Sequence, residues 1–343
     1  MQERVRAAAS RRAALRLRGG GTKDFYGNAL RGEVLDTRSY AGIVAYEPTE
    51  LVVTARCGTP LSDLETILDE NHQCLPFEPP HFGEAATVGG CVAAGLSGPR
   101  RVAAGALRDF VLGVKLVDGR GQALAFGGQV MKNVAGYDVS RLVAGSLGTL
   151  GLIAEVSLKL APRPQAESSV RLELPQARAL EAMNRWAGQP LAISASAWHD
   201  GELSVRLSGS AAAVHAAAAR IGGTALDGAF WRELREQTHA FFSGPEPLWR
   251  LSLPSTAPAV ELDGKQLLEW GGALRWLRTS AAAAEVRDTA RRLNGHATLF
   301  RAPDKAAGCF APLDPVLARV HQALKAAFDP DGIFNPGRMY PEL

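Results

Sequence analysis

The chain lacks any run of about 20 consecutive apolar residues, the length a helix needs to cross a bilayer, so no transmembrane segment is expected. Cysteine is scarce: Cys57, Cys74, Cys91 and Cys309 stand far apart and form no C-x-x-C pair. That spacing argues against an iron–sulfur cluster or a zinc site within this chain, and the seven histidines fall into no cluster with ligand spacing, so no metal is expected. Free and mostly buried thiols suit a reducing cytoplasm. Charge of one sign is lacking too. The formal net charge of +3 comes without a basic stripe interleaved with aromatics, and nucleic acid is therefore not an expected partner.

What is present is an ordinary globular composition, 46% hydrophobic and 21% charged, in 343 residues. A chain of that size buries roughly 75% of its unfolded surface, enough for one large or two medium cores. The Arg- and Ala-rich start, Arg4 to Arg18, has the composition of a transit peptide. Glu3 stands at its edge and it runs straight into a glycine motif, so it reads as a packed helix followed by a strand.

Short apolar runs bounded by turn residues, at Ala14–Arg18, Ile43–Glu47 and Leu51–Cys57, predict strands. Thr59 as N-cap with Pro60 in the first helical position predicts a helix whose apolar stripe is Leu61, Leu64, Ile67 and Leu68. Val111–Val117 and Gln122–Phe126 form a strand pair turning at Asp118-Gly119, and period-two alternation from Leu152 to Leu160 closes this half as a long strand. Pro162 and Pro164 mark a boundary. Beyond them, strands and helices alternate in the manner of two small split βαβ units, and an amphipathic helix, Pro315–Phe328, carries Leu317, Val320, Leu324 and Phe328 on one side. The expected class is α+β, divided at residues 1–164, 165–303 and 304–343.

Four glycine clusters punctuate these elements. In Arg18-Gly19-Gly20-Gly21-Thr22-Lys23, consecutive glycines let backbone N–H groups converge on one point as an anion nest, without a Walker or Rossmann pattern. Ala86-Thr87-Val88-Gly89-Gly90 allows close backbone approach to a planar ligand or a diphosphate. Gly145-Ser146-Leu147-Gly148-Thr149-Leu150-Gly151 precedes the closing strand, and Asn335-Pro336-Gly337-Arg338 ends the tail. Each alone reads as a tight turn.

Together with the run from Lys132-Asn133 through Gly136-Tyr137-Asp138, these motifs resemble the FAD-linked oxidases with a p-cresol-methylhydroxylase-type flavin domain. Residues 18–27 and 130–142 are similar, within that family, to the FAD-binding subunits E of bacterial glycolate oxidases. The resemblance implies a two-part FAD-binding domain and a smaller α+β cap domain, with the C-terminal tail returning to the flavin domain. It implies FAD gripped at its diphosphate by Arg18, Gly19, Gly20, Gly21, Thr22, Lys23, Thr87, Val88, Gly89 and Gly90. Asn133 is a further cofactor residue on that match, Gly148 and Ile153 fall along the adenosine end, and Asn335 and Arg338 fall near the flavin ring. Covalently flavinylated relatives often carry histidine in the first loop, where Thr22 stands here, so non-covalent FAD is expected.

The reaction implied is oxidation of a small 2-hydroxy acid such as glycolate to the 2-oxo acid, with electrons passed on through the flavin. The implied partners are a sister FAD-binding subunit and an iron–sulfur subunit, with location in the cytoplasm and membrane association only through that complex. Hydroxy-acid-oxidising members carry a Gly-Asp-Gly-Asn-x-His-like run, and this sequence has none; its nearest stretch begins at Gly295-His296. His81 and Tyr137 remain as candidate catalytic side chains. Arg100 and Arg101 read as solvated charge or as a diphosphate contact, and His321 as a helix-edge residue. A self-sufficient oxidase and a cofactor-free scaffold are the alternatives.

Overall fold

The computed structural model describes residues 1–128 and 138–343, which fall into two compact units. The first comprises residues 1–96, 106–162 and 312–343, and the second residues 97–105 and 163–311.

The first unit opens with a helix, Gln2–Arg11, that buries Val5 and Ala8 and ends at Arg12 in the left-handed region. Its buried face shares a core with Leu15, Leu35, Val117, Leu152, Ile333 and Phe334. Strand Leu15–Arg18 pairs in parallel with Glu33–Asp36, an element the sequence pattern did not mark. On its other side Leu15 bridges Phe334, also in parallel, so the C-terminal tail serves as a third line of chain beside the strand that feeds the first glycine loop. A five-stranded antiparallel sheet follows, in the order Ile43–Glu47, Val52–Arg56, Leu152–Lys159, Val111–Val117 and Ala123–Gly127. Asp118 makes the tight turn between the last two, accepting from the N–H groups of Arg120 and Gln122.

Two local readings need correction. The helix expected from Thr59 starts one residue later, as Leu61–Glu70 with Pro60 at its N-cap. The Thr59 hydroxyl is used elsewhere, accepting from Gly42 N–H at 2.9 Å and donating to Gly42 O at 3.1 Å. The second concerns Pro315–Phe328, capped by Asp314 through the N–H groups of Val316 and Leu317. Its one fully buried side chain is Lys325, whereas Leu317 and Val320 are about half exposed, at 48% and 49%. An intra-protein polar cluster, described below, wins over the apolar stripe.

The second unit is one eight-stranded antiparallel sheet in the order Thr224–Ala225, Ala166–Glu173, Glu202–Gly209, Ile193–His199, Lys265–Glu269, Leu274–Arg278, Leu248–Ser252 and His296–Arg301. Within each half the chain visits the positions in the same 4-1-3-2 order, as two split βαβ units do, joined where Ile193–His199 meets Lys265–Glu269. The first half carries helices Gln176–Ala187 and Ala211–Ile221 over a core of Leu203, Val205, Leu207 and Leu268. The second has Ala283–Arg292 as its crossover helix, whose Val286 joins a core with Trp249, Leu251 and Leu277. No helix occupies 253–264, where a full copy would place one.

Candidate cofactor site

The first loop, the second glycine cluster, the third and the tail meet around one open cleft. Its wall includes Gly19, Gly20, Gly21, Thr22, Thr87, Gly90, Leu147, Asn335 and Arg338.

The strand Leu15–Arg18 delivers the chain to the cleft, and there the ladder stops. Among the described residues, the backbone N–H groups of Gly19, Gly20, Gly21 and Thr22 are donated to no protein acceptor. Four successive amides without partners are costly in a folded chain unless a ligand or water receives them. The loop can lie this way because its α-carbons sit tight against Ala85 and Thr87. A Cβ on Gly20 would stand 1.5 Å from the carbonyl oxygen of Ala85, and one on Gly19 2.2 Å from Thr87 Oγ1.

Charge around the loop is arranged by Asp24. Its carboxylate takes a hydrogen bond from Arg16 and another from Arg18 Nε at 3.0 Å, which holds the Arg18 guanidinium over Gly21. Lys23 Nζ donates to His81 O at 3.2 Å. Arg338 is withdrawn from solvent, at 5% exposure, and donates to the carbonyls of Asn28 and, at 2.9 Å, Asp24. Three cationic side chains, Arg18, Lys23 and Arg338, therefore line the cleft against the one carboxylate of Asp24. An anion of two charges suits that balance.

The second cluster forms a helix, Val88–Ala94, not a loop. Thr87 caps it by accepting from Gly90 N–H at 3.3 Å. Its early amides are already used inside the protein: Val88 N–H goes to Thr59 O and Gly89 N–H to Cys57 O. Val88 and Gly89 thus face strand Val52–Arg56 and its exit, while Thr87 and Gly90 line the cleft. The far end of this helix carries the third cluster, through Gly145 N–H to Val92 O and Leu147 N–H to Ala93 O.

Asn335 then ties the third cluster to the first. Its Oδ1 accepts from Leu17 N–H at 2.9 Å, its Nδ2 donates to Leu147 O at 2.6 Å, and its own N–H goes to Leu15 O. Gly148 packs against this carboxamide, where a Cβ would come within 2.8 Å of Nδ2. Ile153 lies away from the cleft wall, buried in Leu152–Lys159 opposite Leu116.

Of the catalytic candidates, His81 is not among the residues that line the cleft. His81 Nε2 is 3.0 Å from Glu65 Oε2 on the helix Leu61–Glu70. Tyr137 and Asn133 lie outside the described residues, as does Lys132. Arg100 and Arg101 belong to the second unit, where Arg100 pairs with Glu167 at 3.0 Å and Arg101 sits 4.5 Å over the Trp270 ring. His321 is set edge-on to Tyr340. Sequence reasoning missed Asp24, Leu147 and Lys325. Asp24 stands inside the first motif and Leu147 inside the third cluster, each without an assigned role, whereas no local signal marks Lys325.

Known proteins agree with this geometry. A family model described as FAD binding domain matches residues 1–127, and one for the C-terminal domain of FAD linked oxidases matches residues 305–339. The chain is 51% identical over 341 residues, 99% of its own length and 97% of the other's, to the glycolate oxidase subunit GlcE of Escherichia coli (strain K12). The chain belongs to the GlcE family. A more distant relative of this GlcE-family chain is the glycolate oxidase subunit GlcD of Bacillus subtilis (strain 168), 31% identical over 139 residues, 40% of this chain and 29% of that one. Among solved structures, an alkyldihydroxyacetonephosphate synthase superposes with a TM-score of 0.67 at 16% identity, covering 98% of this chain and 74% of that one. That likeness shows the fold of an FAD-linked oxidase with a p-cresol-methylhydroxylase-type flavin domain. The GlcE-family chain is accordingly a flavoprotein, its cofactor is FAD, and it is an FAD-dependent oxidoreductase.

Proposed function

We propose that this chain is the FAD-binding subunit of a glycolate oxidase-type complex, in which a 2-hydroxy acid such as glycolate is oxidised to the 2-oxo acid and electrons leave through the flavin to a partner. The observation that carries this reading is the row of four amides, Gly19 to Thr22, that find no acceptor among the described residues, in a chain 51% identical to a protein named as a glycolate oxidase subunit.

The diphosphate of FAD is the ligand that best suits those amides, with Arg18 and Arg338 as its charged neighbours and Thr87 and Gly90 as the opposing wall. Asn335 orients the wall, its Oδ1 holding Leu17 N–H and its Nδ2 holding Leu147 O. When bound, the flavin supplies the two-electron acceptor for the alcohol carbon. No histidine, cysteine or tyrosine stands among the described residues of the cleft wall, which supports non-covalent attachment.

A division of labour fits what the chain carries. Among the described residues no group of His, Cys, Asp and Glu is gathered as metal ligands, and His81 is turned to Glu65. A sister FAD-binding subunit and an iron–sulfur subunit would complete the electron path. The setting is cytoplasmic, with any membrane contact made through the complex; among the described residues no helix is long and apolar enough to cross a membrane.

Anaerobic titration of the purified chain, alone and co-purified with its sister subunits, tests the proposal. The isolated chain should be yellow and keep its absorbance with glycolate or D-lactate, while the complex bleaches. Bleaching of the isolated chain would make it a self-sufficient dehydrogenase. Colourless protein that gains no thermal stability from added FAD would overturn the cofactor site.

A further inference from the structure

Lys325 is buried at 7% exposure on a helix that leaves Val316, Leu317 and Val320 exposed. Its ammonium has three donors, and all three are used: Thr149 O at 2.7 Å, Asp329 Oδ2 at 2.8 Å and Phe334 O at 2.8 Å. Placing an ammonium there is expensive, and burial pulls its proton affinity below that of an ordinary lysine, partly offset by Asp329.

Two of its three acceptors are main-chain carbonyls on segments that form the cleft wall. Thr149 follows Leu147 and Gly148, and Phe334 precedes Asn335. Asp329 completes the arrangement by accepting from Ile333 N–H at 3.1 Å and Phe334 N–H at 2.8 Å. Ile333 O in turn receives Leu15 N–H at 2.7 Å, at the start of the strand that ends in Arg18. Lys325 itself is absent from the wall around Gly19–Thr22. It stands behind Asn335: the carboxamide, on the tail, holds Leu147 and Leu17, and the ammonium ties the 146–149 turn, at Thr149, to the tail, at Phe334.

We infer that Lys325 is a positioning residue for the cofactor cleft, fixing the spacing between the 146–149 turn and the tail so that Asn335 and Arg338 meet FAD in a set place. The inference rests on the reading of this cleft as the FAD site. A hydrophobic residue of equal size would fill the volume and leave two carbonyls and a carboxylate buried without that donor, and the wall would shift to find another.

The test compares Lys325→Met, Lys325→Gln and, as a control for general destabilisation, Val286→Ala, which removes a fully buried side chain from the second unit's core. Each apoprotein is melted, and its FAD affinity and release rate are measured by flavin fluorescence, with the visible circular dichroism of bound flavin as a signature of its setting. Lys325→Met should weaken FAD at least tenfold and alter that signature. Lys325→Gln, which keeps two N–H donors, should fall between Met and wild type. Val286→Ala should lower the melting temperature with FAD affinity unchanged within twofold. Wild-type affinity in Lys325→Met, or in Lys325→Gln where the Met variant does not fold, overturns the positioning role. So does an equal loss of affinity in Val286→Ala. Wild-type protein that shows no saturable FAD binding would sink the cleft assignment itself, a separate result.

Discussion

The side-chain nitrogen of Asn335 donates to the carbonyl oxygen of Leu147 at 2.6 Å, joining residues 188 positions apart. The same carboxamide accepts from Leu17 N–H, so it needs a donor at one end and an acceptor at the other. Asn335→Asp keeps the acceptor and the left-handed backbone at φ 41°, and removes the donor. Leaving Leu147 O buried and unmatched should cost about 1–3 kcal/mol of stability. Paired thermal and urea unfolding of the apoprotein would read that loss, and FAD affinity should fall with it.

Gly20→Ala makes a sharper demand. Its new Cβ would stand 1.5 Å from Ala85 O, and backbone cannot yield as the end of a flexible side chain can. The loop must move off its seat, and the amides of Gly19 to Thr22 with it. Protein purified from this variant should carry roughly a tenth or less of the wild-type flavin per chain, measured by visible absorbance after desalting, since a displaced loop forfeits several hydrogen bonds at once. Full occupancy would refute the claim that the loop's seat on Ala85 sets the amides.

Arg18→Gln isolates charge from shape. The guanidinium is held by Asp24 over Gly21, and a charge-assisted contact to the cofactor diphosphate is worth about 1.5–3 kcal/mol. FAD affinity should therefore drop on the order of tenfold or more, and its dependence on salt concentration should become shallower. An unchanged salt dependence would place the diphosphate elsewhere.

The second unit should lose stability in mild acid. Burial, and then the nearby His199, pull the proton affinity of His239 below the usual 6.5. Its Nδ1 also accepts from Phe241 N–H at 3.2 Å, a role only the unprotonated nitrogen can fill. The unfolded chain thus takes up a proton here before the folded one does, so stability declines as pH falls below about 6.5 and levels once the folded ring is protonated as well. His296, depressed by burial and by Arg250, acts in the same direction. Denaturant midpoints followed from neutral pH into mild acid should fall less steeply in His239→Gln than in wild type.

Val316 and Leu317, at 58% and 48% exposure on the C-terminal helix, should be replaceable in the isolated chain. Leu317→Lys is expected to change stability by no more than about 0.5 kcal/mol, as surface substitutions do. A loss of several kcal/mol would restore the sequence expectation of a buried apolar stripe.

That last case shows where the sequence was legible and where it was not. The first glycine loop could be read because its chemistry is local: three glycines in a row can only mean close backbone or an unusual turn. The strand ends from Ile43 to Leu160 were legible for the same reason, since alternation and turn residues act over a few positions. Val88 and Gly89 carried the same signal as Gly19 and Gly20, yet their amides are taken by Thr59 and Cys57, partners that no spacing reveals. Thr59 itself had the look of a cap and was drawn away by Gly42. Lys325 could not be found at all, because a lysine amid apolar residues reads as a solvated charge until Thr149 and Phe334 are seen beside it.

The bond between Leu17 and Asn335 spans 318 residues. A ribosome therefore delivers the glycine loop long before the residue that braces it, and the loop must wait through the synthesis of both units. The cofactor meets a finished seat only once Asn335 has been made, and a product that stalls before it lacks the brace on its glycine loop.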